Sequence, residues 1–167
     1  MVSRGSIDKE LQKINYYYNR VPPSDINLPK FYSKLALLEL CGWIEQSMDD
    51  LIFRYTNRRV KETANLDFVH QDVIGKTYGF EYERYFRTML IRTIGIVGTE
   101  KLEKSLNHSS FNNFCLALKK LKEQRDPHSH ATIFGTTIPI DAPSQIIAYF
   151  ESIYPVLKEF ERSLKGF

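Results

Sequence analysis

The chain has 167 residues, 43% of them hydrophobic and 13% aromatic, with 23 Lys and Arg against 20 Asp and Glu for a formal net charge of +3. That length suits one domain with a real core, spanning 1–167, and the composition excludes an intrinsically disordered chain. The mild basic bias is compatible with a nucleic-acid partner, but an ordinary mixed surface carries as much.

The opening MVSRGSIDKELQK lacks the apolar run of a secretory signal. The most apolar later stretch, TMLIRTIGIVG, carries Arg92 and is too short to span a bilayer. The two cysteines, Cys41 and Cys115, fall in apolar helical patterns with no CxxC partner, which reads as core thiols in a reducing compartment. Together these features predict a cytoplasmic protein with no membrane association.

In chain order, a first helix is predicted from Ser6 to about Asn19, stopped by the prolines of VPPSD. The run Tyr16-Tyr17-Tyr18 near its end can stack on bases or serve packing. A long helix follows from near Pro29 to about Val60. Leu37, Cys41, Ile44, Met48, Leu51, Ile52 and Tyr55 recur along it at helical spacing. At about 100° per residue, Glu45 projects at the edge of that stripe, between Leu38 and Ile52. A carboxylate there either reaches water or meets a cation or hydrogen-bond donor.

A connection with a short helix around Leu66 to Ile74, ended by Gly75, carries His70, read as a surface or packing residue. Another helix is predicted over Phe80 to Gly98, with a shorter continuation capped by Thr99. The next runs from Ser110 to Arg125, with Phe111, Phe114, Cys115, Leu118 and Leu121 as its apolar face. An irregular stretch or short β-hairpin is expected near 131–142, where β-branched residues, Gly and Pro concentrate. A last helix covers Ser144 to Leu164, kinked at Pro155. The expected fold is an all-α, up-and-down bundle of two long helices and short connections.

The chemically informative stretch is LKKLKEQRDPHSHAT, residues 118–132. Arg125 falls between Leu118 and Leu121 in helical angle, on the core-facing stripe, where a guanidinium needs an anion. Glu45 is a candidate, and so is a ligand phosphate. Asp126-Pro127 either caps and starts a new helix, or Pro127 kinks a continuous one. The histidines admit three readings: a metal site of His128, His130 and Asp126; a structural role, with Arg125 paired to a core carboxylate; or Arg/His chemistry on a phosphate ester. The metal spacing suits a strand better than a helix, so no metal or other cofactor is expected.

The amphipathic helix leading into RDPHSH resembles the signature of the HEPN superfamily, an Arg and a His a few residues apart, late in an all-α bundle. Arg125 matches the arginine, Asp126 the polar position after it, and His130 the histidine, with four residues between Arg125 and His130. LLELCGWIEQSMDDLI is similar to the family's long early helix. Pro127 is a less usual residue inside the motif, and His128 supplies a second histidine, so the assignment to His130 rests on spacing. The chain looks most like the stand-alone HEPN proteins of prokaryotic conflict systems.

The resemblance implies a metal-independent endoribonuclease, with RNA as substrate and the motifs of two protomers meeting in a homodimer. It would act as a toxin or antiviral effector under an antitoxin or other regulatory protein. The physics is consistent with this chemistry. The RNA 2′-hydroxyl is the nucleophile, histidine moves the protons, and arginine grips the phosphate and stabilises developing charge. Asp126 would orient the histidine or the arginine, or cap the helix. The alternatives are a non-catalytic HEPN-like module that binds RNA, nucleotide or protein, and a plain helical scaffold built around an Arg125–Glu45 pair.

Overall fold

The computed structural model describes residues 2–129 and 139–167. It is all-α, with helices α1 (Gly5–Tyr18), α2 (Leu28–Arg59), α3 (Thr63–Phe68), α4 (Arg87–Ser105), α5 (His108–Ser129) and α6 (Pro143–Leu164). No strand occurs among the described residues. Two π-helical segments, Val69–Ile74 and Tyr82–Phe86, extend α3 and lead into α4.

The central element is α2, which packs against α1, α5 and α6. Its stripe of Leu37, Leu40, Cys41, Ile44, Met48, Leu51 and Ile52 is buried along almost its whole length. The start of α2 is fixed locally. The Asp25 carboxylate accepts the amides of Asn27 and Leu28, and Pro29 follows where its missing N–H costs nothing. On the far side, Phe86, Phe114 and Phe160 are fully buried, and Tyr82 and Phe111 pack against them edge-on or stacked. This aromatic cluster joins the π-helical segment Tyr82–Phe86 to α5 and α6 and helps set the position of α5 in the bundle.

Three local features differ from the sequence-based expectation. Helix α4 is broken at Gly95, where φ is 73° and ψ is 165°, a conformation that only glycine adopts cheaply. Thr99 does not cap a continuation after Gly98. It is buried, and its hydroxyl donates to the Gly95 carbonyl at 2.9 Å. Helix α5 begins two residues earlier than expected, at His108, because the Asn107 side chain caps it by accepting from the Ser110 amide at 3.0 Å.

At the motif the sequence leaves two options open. Helix α5 does not stop at Asp126-Pro127 but runs through Pro127 to Ser129, so of the two options the continuous helix is the one observed. In α6, Pro155 likewise sits inside the helix, on its exposed side. Of the segment expected to be irregular or a hairpin, 131–138 lies outside the described residues, and 139–142 is irregular chain leading into α6. Among the described residues no helix is long and apolar enough to cross a membrane.

Candidate functional site around Arg125

Arg125 stands one turn before the C-terminal end of α5 and is 23% exposed at its side chain. Its Nη1 donates to Glu45 Oε1 on α2 at 2.6 Å, and that carboxylate is 34% exposed. The guanidinium lies over the Phe80 ring, 5.1 Å from the centroid. Stacked on an aromatic face and paired with a carboxylate, it has the surroundings that suit a planar, weakly hydrated cation. Burial lowers the Arg125 pKa, but the Glu45 charge and hydrogen bond outweigh this, and the group lies above its ordinary value.

Asp126 belongs to α5 and caps nothing. Its carboxylate is 3.4 Å from Arg125 Nε and 3.2 Å from Lys122 Nζ, and Lys122 also faces Glu81 at 3.4 Å. The capping role considered for Asp126 is therefore replaced by a bridge between two cations. Glu45 and Asp126 engage two of the donors on Arg125, and among the described residues its Nη2 has no hydrogen-bond partner. The fork therefore keeps capacity for a further anion.

The two histidines of the motif part company. His128 is buried at 4% exposure, and among the described residues its Nε2 has no hydrogen-bond partner. His130 is the residue after Ser129 and lies outside the described residues. Glu45, Arg125 and Asp126 are therefore brought together, His128 turns into the protein, and the position assigned to His130 is not described. Among the described residues no group of three His, Cys, Asp or Glu side chains is gathered as metal ligands.

Beneath the ion pair lies Cys41, whose thiol is pushed up to about 12 by burial, with Glu45 and Asp126 adding and Arg125 opposing. One turn beyond Glu45, Asp49 is raised to about 6, first by burial and then by the charges of Glu45 and Asp50. Neither effect is legible in the sequence, because both depend on how deeply α2 sits.

A further contact near the motif has no sequence signature. Gln124 Nε2 donates to Asp141 Oδ2 at 2.7 Å, and the Asp141 amide donates back to Gln124 Oε1 at 2.9 Å. Tyr149 on α6 donates its hydroxyl to the same carboxylate oxygen at 2.8 Å. Burial, and then that contact, push the tyrosine pKa up to about 12. The chain after 138 is thus tied back to the residue preceding Arg125. The described chain both leaves, at Ser129, and is anchored, at Asp141, within about one turn of the arginine.

No family model, no curated protein and no solved structure matches this chain.

Proposed function

We propose that the protein is a metal-independent endoribonuclease of the HEPN type, working as a homodimer in which Arg125 and His130 of each protomer act on one RNA phosphate. The observation that carries this reading is the state of Arg125. It is stacked on Phe80, held by Glu45, partly exposed, and retains donors that Glu45 and Asp126 do not use. A guanidinium positioned in advance can bind a phosphodiester and then stabilise the extra charge of the phosphorane without reorganising.

The burial of His128 supports leaving proton transfer to His130. The 2′-hydroxyl attacks phosphorus, a histidine takes its proton, and the 5′-oxygen leaves with a proton from a second group. Two protomers supply a base and an acid on opposite sides of the phosphate. Asp126, between Arg125 and Lys122, orients the arginine. A role in toxin–antitoxin or antiviral defence, in the cytoplasm and under a regulatory protein, goes with this reading.

This chemistry leaves a signature. Single-stranded RNA incubated with the protein in EDTA is expected to yield fragments ending in 2′,3′-cyclic phosphate with free 5′-hydroxyls. Fragments with 5′-phosphate ends would contradict attack by the 2′-oxygen.

A plain helical scaffold is the second candidate, and one specific observation favours it. Arg125 already has a carboxylate partner at 2.6 Å, which alone accounts for an arginine on a core-facing stripe. Wild type that neither cleaves nor binds RNA would select it, whereas RNA binding without cleavage, persisting in His130→Ala, would select a non-catalytic binding module.

A further inference from the structure

The end of α1 and the start of α2 carry a row of aromatic rings, of which Tyr32 packs against the core and the other three are exposed. Tyr16 meets Tyr17 edge-on at 5.5 Å, Tyr17 stacks on Tyr32 at 6.2 Å and 18°, and Tyr32 meets Phe31 edge-on at 5.8 Å. The four rings form one continuous row across the two helices. Tyr17 and Phe31 are each 46% exposed and Tyr16 is half exposed, an uncommon investment of aromatic surface outside a core.

The charge beside this row is mainly positive, with Glu10 one helical turn before Lys13. Arg20 lies over the Tyr16 ring at 3.8 Å. Lys13 is one helical turn before Tyr16 and Tyr17, and Lys30 adjoins Phe31; all three cations are exposed. Between residues 11 and 38 the sole acidic residue is Asp25, and its carboxylate already accepts two backbone amides at the start of α2. Partly exposed rings flanked by cations are what single-stranded nucleic acid uses. Bases stack on the rings, and the backbone follows the positive charge. A duplex would hide the base faces that the rings could cover.

We infer that the Tyr16–Tyr17–Tyr32–Phe31 row, with Arg20, Lys13 and Lys30, is a stacking platform for single-stranded RNA, separate from the Arg125 site. The choice of RNA over DNA rests on the reading of the Arg125 site as one that acts on RNA; the platform itself does not.

The test is binding of a labelled 2′-O-methyl RNA 12-mer, which carries no free 2′-nucleophile, followed by fluorescence anisotropy on the full chain. Tyr17→Ala and Phe31→Ala are each expected to weaken binding about tenfold, while Tyr17→Phe and Phe31→Tyr stay within about twofold of wild type. Arg20→Gln is expected to weaken binding and flatten its salt dependence. In the wild-type chain, the ring protons of Tyr17 and Phe31 are expected to shift on RNA addition, a readout that needs no variant to fold. Lys101→Gln, a charge change at an exposed position of α4 outside both sites, should bind like wild type. Loss of cleavage with this pattern intact would therefore count against the nuclease alone, and cleavage without this pattern against the platform alone. Absent binding, alanine variants that bind normally, unshifted ring protons, or tighter binding to the matching DNA 12-mer would each overturn the inference.

Discussion

Arg125 and Glu45 stand 80 positions apart in the chain, and their side chains meet at 2.6 Å between α5 and α2. The pair is partly exposed, so it lies between a surface ion pair of small worth and a buried one that is costly to break. A double-mutant cycle of Glu45→Gln and Arg125→Gln, read by urea unfolding, is expected to give a coupling of about 1 kcal/mol. A coupling near zero would mean that the two groups do not hold each other in solution.

Asp49 makes stability depend on pH in a stated direction. Its folded pKa is raised to about 6, above the value near 4 of an unfolded aspartate. The folded state therefore holds the proton more tightly. The stability contributed by this group is full below about pH 4 and is lost as pH rises through about 6. Asp49→Asn is expected to raise the melting temperature at pH 7.5 and to change it little at pH 4. Equal effects at both pH values would contradict the burial of this carboxyl beside Glu45 and Asp50.

The lock between Gln124 and Asp141 predicts a local effect. Gln124→Ala removes the two hydrogen bonds to Asp141 and is expected to cost about 1–2 kcal/mol. The Asp141 amide, which donates to Gln124, should exchange its hydrogen markedly faster in that variant, while amides in the middle of α2 keep their protection. Unchanged exchange at Asp141 would show that the contact does not anchor the chain.

Both thiols should be inert in the folded protein. Burial pushes Cys41 up to about 12 and Cys115 up to about 11, leaving almost no thiolate at neutral pH. A disulfide reagent at pH 8 is expected to label neither at an appreciable rate until denaturant is added, and then to label both. Rapid labelling of Cys41 in the native protein would contradict the packing beneath the Arg125–Glu45 pair.

The all-α fold was legible because apolar residues recur at helical spacing, most clearly in α1 and α6. Of the predicted stripe on α2 all but half-buried Tyr55 is buried, and on α5 Phe114, Leu118 and Leu121 are buried while Phe111 and Cys115 are half-buried. The position of Glu45 at the edge of its stripe, and the inward turn of Arg125, were legible for the same reason. Angle alone could not say that these two would meet, since that depends on how α2 and α5 pack. The break at Gly95 was missed because a glycine within an apolar helical run does not show whether it will take positive φ. Asp126-Pro127 suggests a helix start on local preference, yet α5 continues through it, and tertiary packing overrides the local signal. The Gln124–Asp141–Tyr149 lock joins residues whose types are common in loops and on surfaces, so nothing in the sequence marks it.

The most direct test of the central claim is cleavage of single-stranded RNA in EDTA by wild type, Arg125→Ala and His130→Ala at equal concentration and with matched melting curves. Wild type is expected to cut, and each variant to lose at least about a hundredfold in rate, since each removes one part of the same phosphoryl chemistry. No cleavage by wild type, or cleavage that survives both substitutions, would contradict the assignment of a ribonuclease site to Arg125 and His130.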